Sequence, residues 1–176
     1  NDDATVSINV ANVSKNTLFH ELGHPVHEFL KKHDPGLYNS INKELNGKSR
    51  WVMNKKTGLP TKESYYGWAK RVYERRAKAY AADLLKKKLI TKDQVDEVVE
   101  EYYYGEAFSE YLGDASAQKI APEKARGFLG FIQRLTTSEV RTDTENLNLA
   151  DLSNLKDVVD NLSDAFVTGQ TISYRK

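Results

Sequence analysis

At 176 residues the chain suits one domain with a core of its own, and 39% apolar with 29% charged residues is the composition of a soluble globular protein. A formal net charge of +1 gives no electrostatic reason to expect nucleic acid or an anionic membrane, and no apolar run is long enough to span a bilayer. Cysteine is absent, which excludes disulfides and thiolate metal sites; any metal must be held by histidine and carboxylate.

The chain opens at Asn1-Asp2-Asp3 without methionine or a signal-peptide pattern, as expected of a piece of a longer polypeptide, and nothing in it points to a compartment. Ala4–Val10 alternates as a strand does. Asn12–Thr17 follows as a loop, with Asn16 or Thr17 available to cap a helix that runs to Leu30 and is kinked at Pro25. Asp34-Pro35-Gly36 is a turn signal, and a short helix is predicted over Tyr38–Leu45. From Asn46 to Ser64 the chain reads as irregular or weakly β, with turn signals at Asn46-Gly47 and Gly58-Leu59-Pro60. Helical spacing resumes at Ser64. A second long helix starts at the capping pattern Thr91-x-x-Gln94, with Gly105 and Gly113 as weak points, and another begins near Pro122. Near the end, Leu152, Leu155, Val158, Val159, Leu162 and Phe166 fall on one stripe. The predicted architecture is a helix-rich α+β domain with few strands.

Thr17–Leu30 carries three of the four histidines, two of them framing a glutamate as H-E-x-x-H: His20, Glu21, His24. Positions i and i+4 of a helix share a face, so both imidazoles can address one ion. Zinc suits neutral imidazoles and keeps a coordination position open in catalytic sites. Glu21 is rotated by about 100° from His20, beside the ion rather than on it, where it can act as general base and then acid. Leu18, Phe19, Leu22, Val26, Phe29 and Leu30 supply the opposite, apolar face. Gly23 permits close packing.

A third protein ligand is required. The pattern H-E-x-x-H-x-x-G-x-x-H is rejected, because His27 stands at its glycine position and Leu30 at its last histidine. His27 reads as an outer or surface group and His33 as a solvated residue near the helix end. The best candidate lies in Tyr102–Asp114, where Glu106 and Glu110 share a face at i, i+4: one to bind metal, the other to orient a ligating histidine through its free N–H.

These residues carry a resemblance. His20-Glu21-Leu22-Gly23-His24, followed by Gly105-Glu106-Ala107-Phe108-Ser109-Glu110-Tyr111-Leu112, resembles the gluzincin metallopeptidases, and in particular the anthrax lethal factor-like branch with its E-x-F-A-E-x-F helix and following Ala-Pro, here Ala121-Pro122. The resemblance covers about a quarter of the chain. It implies a zincin-like fold with a small sheet and an active-site helix, spanning 1–176 as a single metallopeptidase domain. It also implies Glu106 as the glutamate ligand and Glu110 as the acid behind it. The tyrosine that this branch places seven residues before the glutamate is replaced by Val99; Tyr102, Tyr103 and Tyr104 are near but out of register.

A rival ligand is Glu74, in a helix that resembles those of ImmA/IrrE-like and phage-encoded metallopeptidases, with Tyr65 or Tyr66 as its tyrosine. Glu106 is preferred because only it has an acidic helical neighbour. In a third arrangement, the C-terminal "LSDAFVTGQTISY" resembles a segment preceding the ligand glutamate of phage head-associated metallopeptidases, and the ligand would then lie beyond this chain.

The expected function is therefore a zinc-dependent endopeptidase. His20, His24 and Glu106 hold Zn²⁺, Glu21 serves the zinc-activated water, and a peptide or protein substrate adds as a strand to Ala4–Val10. The basic stretch through Arg71–Lys88 reads as a solvated face rather than a nucleic-acid surface, and no membrane partner is expected. Two other expectations compete: an inactive structural module, for example of a phage particle, that keeps a zincin scaffold, and a metal-free helical adaptor docking an acidic partner.

Overall fold

The structure, a computed structural model, describes residues 15–119, 147–168, 170 and 172–174. In chain order these form α1 (Lys15–His33), α2 (Pro35–Gly47), β1 (Ser49–Met53), β2 (Pro60–Ser64), α3 (Tyr65–Lys86), α4 (Val95–Lys119), β3 (Leu147–Asn148), α5 (Leu155–Thr168) and β4 (Ile172–Ser173). The architecture is helix-rich α+β, as periodicity predicts. The strand expected over Ala4–Val10 and the helix start at Pro122 lie outside the described residues.

Helix starts have local causes. Asp34 accepts a hydrogen bond from the Leu37 N–H at 3.1 Å and Pro35 occupies the first turn, so α2 begins three residues before the predicted Tyr38. What reads as a turn signal is a cap followed by an N-terminal proline. Ser64 Oγ accepts from the Gly67 N–H at 2.9 Å and opens α3 where predicted. The Thr91 N–H donates to Gln94 Oε1 at 2.9 Å, so the capping pattern before α4 is realised. Neither predicted cap serves α1: its first described residue is Lys15, and Asn16 sits inside the helix, donating to Asp114 Oδ1 at 2.7 Å. The helix continues through Pro25 to His33.

The segment after α2 is more regular than its sequence suggests. β1 and β2 pair antiparallel, from Ser49 opposite Ser64 to Met53 opposite Pro60, and Gly58 takes a φ of 68° in the connection. Alternation fails as a signal because it is inverted: Arg50 turns inward, while Trp51 and Met53 are 66% and 64% exposed. A second, parallel pair joins β3 to β4.

The core gathers Phe19 and Leu30 of α1, Ile41 and Leu45 of α2, Phe108 and Leu112 of α4, and Leu155 and Leu162 of α5, all with no exposed surface. Of the predicted C-terminal stripe, Leu155, Val158, Val159, Leu162 and Phe166 are buried, and Leu152 precedes the helix, half-buried. The contact that positions the site is α1 against α4. A Cβ on Gly23 would stand 2.8 Å from the Cα of Ser109, and one on Gly113 would stand 2.9 Å from the Asn16 carbonyl oxygen. The predicted weak point at Gly113 is thus a contact point: α4 runs unbroken through Gly105 and Gly113, and Gly113 lets α1 approach.

Candidate metal centre

α1 presents His20 and His24 one turn apart, and α4 crosses them with Glu106 and Glu110, also one turn apart. His20 Nε2 lies 3.3 Å from His24 Nε2 and 3.3 Å from Glu106 Oε2, and His24 Nε2 lies 3.8 Å from the same oxygen. The three groups each offer one ligand atom, all within 4.8 Å of one another. Donors at about 2.05 Å from a tetrahedral zinc stand about 3.3 Å apart, so two of the three edges already have that length.

Tautomer and orientation follow from the next layer. His20 Nδ1 is 3.1 Å from Glu110 Oε2, and since a carboxylate only accepts, Nδ1 carries a proton; once Nε2 gives up its own proton to a metal, its lone pair is directed into the space shared with His24 and Glu106. Glu110 is in turn held by the Arg50 guanidinium from β1, which also reaches Asp114 Oδ2 at 3.4 Å. Arg50 lies over the Trp68 ring at 4.7 Å and is flanked by Tyr65, whose hydroxyl donates to Asp114 at 2.9 Å. The inward-facing arginine of the hairpin is thus the outer anchor of a chain running Arg50–Glu110–His20.

Charge in the cluster is tuned by these contacts. Burial pulls the His20 imidazole down, but its contacts with the Glu106 and Glu110 carboxylates outweigh this and raise it to about 9. Without a cation, a proton therefore occupies the position that a metal would contest. Burial dominates at His24 and holds it below the ordinary histidine value, which keeps its ring neutral and able to ligate. Burial likewise tends to raise Glu110, but hydrogen bonds from His20 and Arg50 prevail and hold it low.

Glu106 Oε2 is the decisive atom. It is buried and accepts no hydrogen bond of proper geometry, even though His20 Nε2 is 3.3 Å away. A buried carboxylate oxygen without a well-aligned donor, facing two imidazole nitrogens, is costly unless a cation completes it: the protonated His20 ring in the metal-free protein, or a metal in place of that proton. An N, N, O donor set without thiolate suits zinc. The residues present fit the ion.

Two cavities flank the cluster. One, of about 330 Å³, is lined by His20, Glu21, Tyr73 and Glu110 among others, which puts Glu21 beside the cluster without joining it, as helix rotation predicts. The other, of about 520 Å³, reaches His24 and Glu106.

The remaining expectations divide. Glu74 lies on the exposed side of α3, paired to Lys78 at 2.6 Å, and is not part of the cluster. Its neighbour Tyr73, rotated by about 100° along that helix, lines the cavity beside His20 and Glu21. Burial and the negative charge of Glu106 both suppress ionisation of Tyr73, and the same two causes act on Tyr102, one turn before Glu106. Tyr103 is buried in the core, and Tyr104 accepts from Asn46 Nδ2 at 3.0 Å, away from the cluster. Tyr65 is spent on Asp114 and Tyr66 on Glu100.

His27 departs from its expected outer or surface place. It is 1% exposed, bonded through Nε2 to Asn42 Oδ1 at 2.8 Å and stacked on Phe108, because three residues past His24 the α1 face has turned into the core. His33 is exposed at the helix end, as predicted, and stacks on Phe29.

Sequence reading overlooked Tyr73 and Arg50. Tyr73 is masked by its neighbour Glu74, the more conspicuous ligand type on that helix. Arg50 had no local signal, since a lone arginine in a short strand reads as solvated. Compared with known proteins, the chain matches no family profile, no curated protein and no solved structure, and the reading of the site rests on its own residues.

Proposed function

We propose that this domain is a zinc-dependent endopeptidase of zincin-like type, with His20, His24 and Glu106 as the metal-holding residues. The supporting observation is the convergence of two imidazole nitrogens with a buried, otherwise unsatisfied carboxylate oxygen, next to a glutamate that is not itself in the donor set. When bound, a divalent zinc ion supplies Lewis-acid polarisation of the scissile carbonyl and acidifies water.

The chain's own residues account for the rest. Glu21 takes the proton of the attacking water and returns it to the leaving amine. Glu110 holds His20 in the tautomer that leaves Nε2 free, and Arg50 holds Glu110. Tyr73 and Tyr102, both kept protonated at neutral pH, offer hydroxyl donors beside Glu106 where negative charge develops on the substrate oxygen.

Metal content by mass spectrometry and cleavage of a peptide library by wild type and Glu21→Gln test this reading. The expected result is zinc near one per chain in both proteins and cleavage in the wild type alone. Zinc without cleavage, or cleavage that survives the substitution, removes the catalytic part. Absence of zinc from a metal-replete preparation removes all of it.

A further inference from the structure

The larger cavity beside the cluster has a definite composition. It opens next to His24 and Glu106 and extends between α1, α3 and α4, with a volume of about 520 Å³, within the range of small-ligand sites. Tyr80 and Leu84 of α3, Ile90 of the connection, and Val98 and Tyr102 of α4 line it with apolar surface. The α1 side is charged: Glu28 and Lys31 follow His24 at helical spacing, and Glu101 of α4 faces them. Lys31 bonds to Glu101 at 2.6 Å and also stands in the field of the exposed Glu28 carboxylate, so the three groups together leave one excess negative charge on the wall. The cavity therefore combines an aliphatic and aromatic trough with one excess negative charge besides that of Glu106, which it shares with the donor cluster.

We infer that this cavity is the subsite for a substrate side chain adjacent to the scissile bond, and that it selects lysine or arginine; the inference rests on the endopeptidase reading above. A long methylene stem lies against Leu84, Ile90 and Val98 while the cationic head reaches Glu28 and the rings of Tyr80 and Tyr102. A leucine or phenylalanine leaves Glu28 and the Lys31–Glu101 pair against apolar surface, which is unfavourable for the charged groups. An aspartate or glutamate meets Glu28 as a like charge.

The test uses the full chain carrying Glu21→Gln, zinc-loaded, and fluorescein-labelled peptides that differ at one position: lysine, leucine or glutamate. Anisotropy titrations are run alongside library cleavage by the otherwise wild-type protein. The lysine peptide is expected to bind tightest. Glu28→Gln weakens it by about three- to fivefold and Glu28→Lys by about tenfold, with the leucine peptide unchanged in both. Glu28 is exposed on α1, so neither substitution endangers the fold. Equal affinity for the three peptides, no measurable binding of any, or indifference to Glu28 overturns the subsite. The two readings fail separately: Glu28-dependent lysine binding without cleavage of any peptide keeps the cavity as a site for a cationic side chain and sinks the hydrolase. Cleavage with no preference for lysine or arginine sinks the subsite and leaves the hydrolase standing.

Discussion

Two glutamates on two neighbouring helices meet opposite fates. Glu74 on α3 has Lys78 one turn ahead and bonds to it in solvent. Glu106 on α4 has another acid, Glu110, one turn ahead, and both are largely withdrawn from water. An acid with a lysine at i+4 is locally satisfied and can face outward. Two acids at i, i+4 repel each other, and their burial demands positive charge from elsewhere in the chain. Here it comes from His20 on α1 and Arg50 on β1, and at Glu106 Oε2 it is still incomplete. The difference teaches that an unpaired acidic repeat on a core helix is a request for a cation.

Glu106→Gln should break that contrast most strongly. Removing one of three ligands is expected to weaken zinc binding by more than about 100-fold, beyond the usual effect of changing an outer partner, as read by competition with a chromophoric chelator. An affinity close to wild type would mean the carboxylate is no ligand.

The next effect separates buried His27 from half-buried His20 on α1. Burial holds His27 down to about 4, against an ordinary value of 6.5. Its contribution to stability is therefore present above 6.5 and is lost as pH falls through 4, a loss of about 3 kcal/mol. His20 behaves oppositely in the metal-free protein: raised to about 9, it contributes fully below 6.5 and loses that contribution as pH rises through 9. Urea unfolding of the metal-free protein should thus weaken toward both ends, and His27→Gln should flatten only the acid limb. An acid limb unchanged by that substitution would show that His27 is not its cause.

Arg50→Gln tests how far the request for charge extends. Glu110 would lose its anchor and His20 its fixed orientation, and zinc affinity should fall by about tenfold. Arg50→Lys restores the charge but not the forked guanidinium and should recover only part of it. Equal affinity in all three proteins would confine Arg50 to a packing role on Trp68. Smallest of all is Glu74→Gln, which should leave zinc affinity where it was; a clear fall would reinstate Glu74 as a ligand.

Much of the site could be read from the sequence because its parts repeat at helical spacing. His20 and His24 share a face at i, i+4, as do Glu106 and Glu110, and the apolar residues around both helices mark them as core elements. What could not be read depends on how the helices cross. Gly113 looks like a break until Asn16 is seen against it, and His27 looks solvent-facing until Phe108 closes over it. Arg50 is hidden for a related reason: an inward arginine in an exposed hairpin inverts the alternation that would reveal the strand. The candidate ligands and Glu110 behind them repeat at helical spacing and could be read; Arg50 and the approach of Asn16 to Gly113 could not.

The most direct measurement is an anomalous-difference map at the zinc edge on zinc-soaked crystals. One peak is predicted, in contact with His20 Nε2, His24 Nε2 and Glu106 Oε2. A map with no peak among those atoms, or with its peak beside Glu74, would contradict the account.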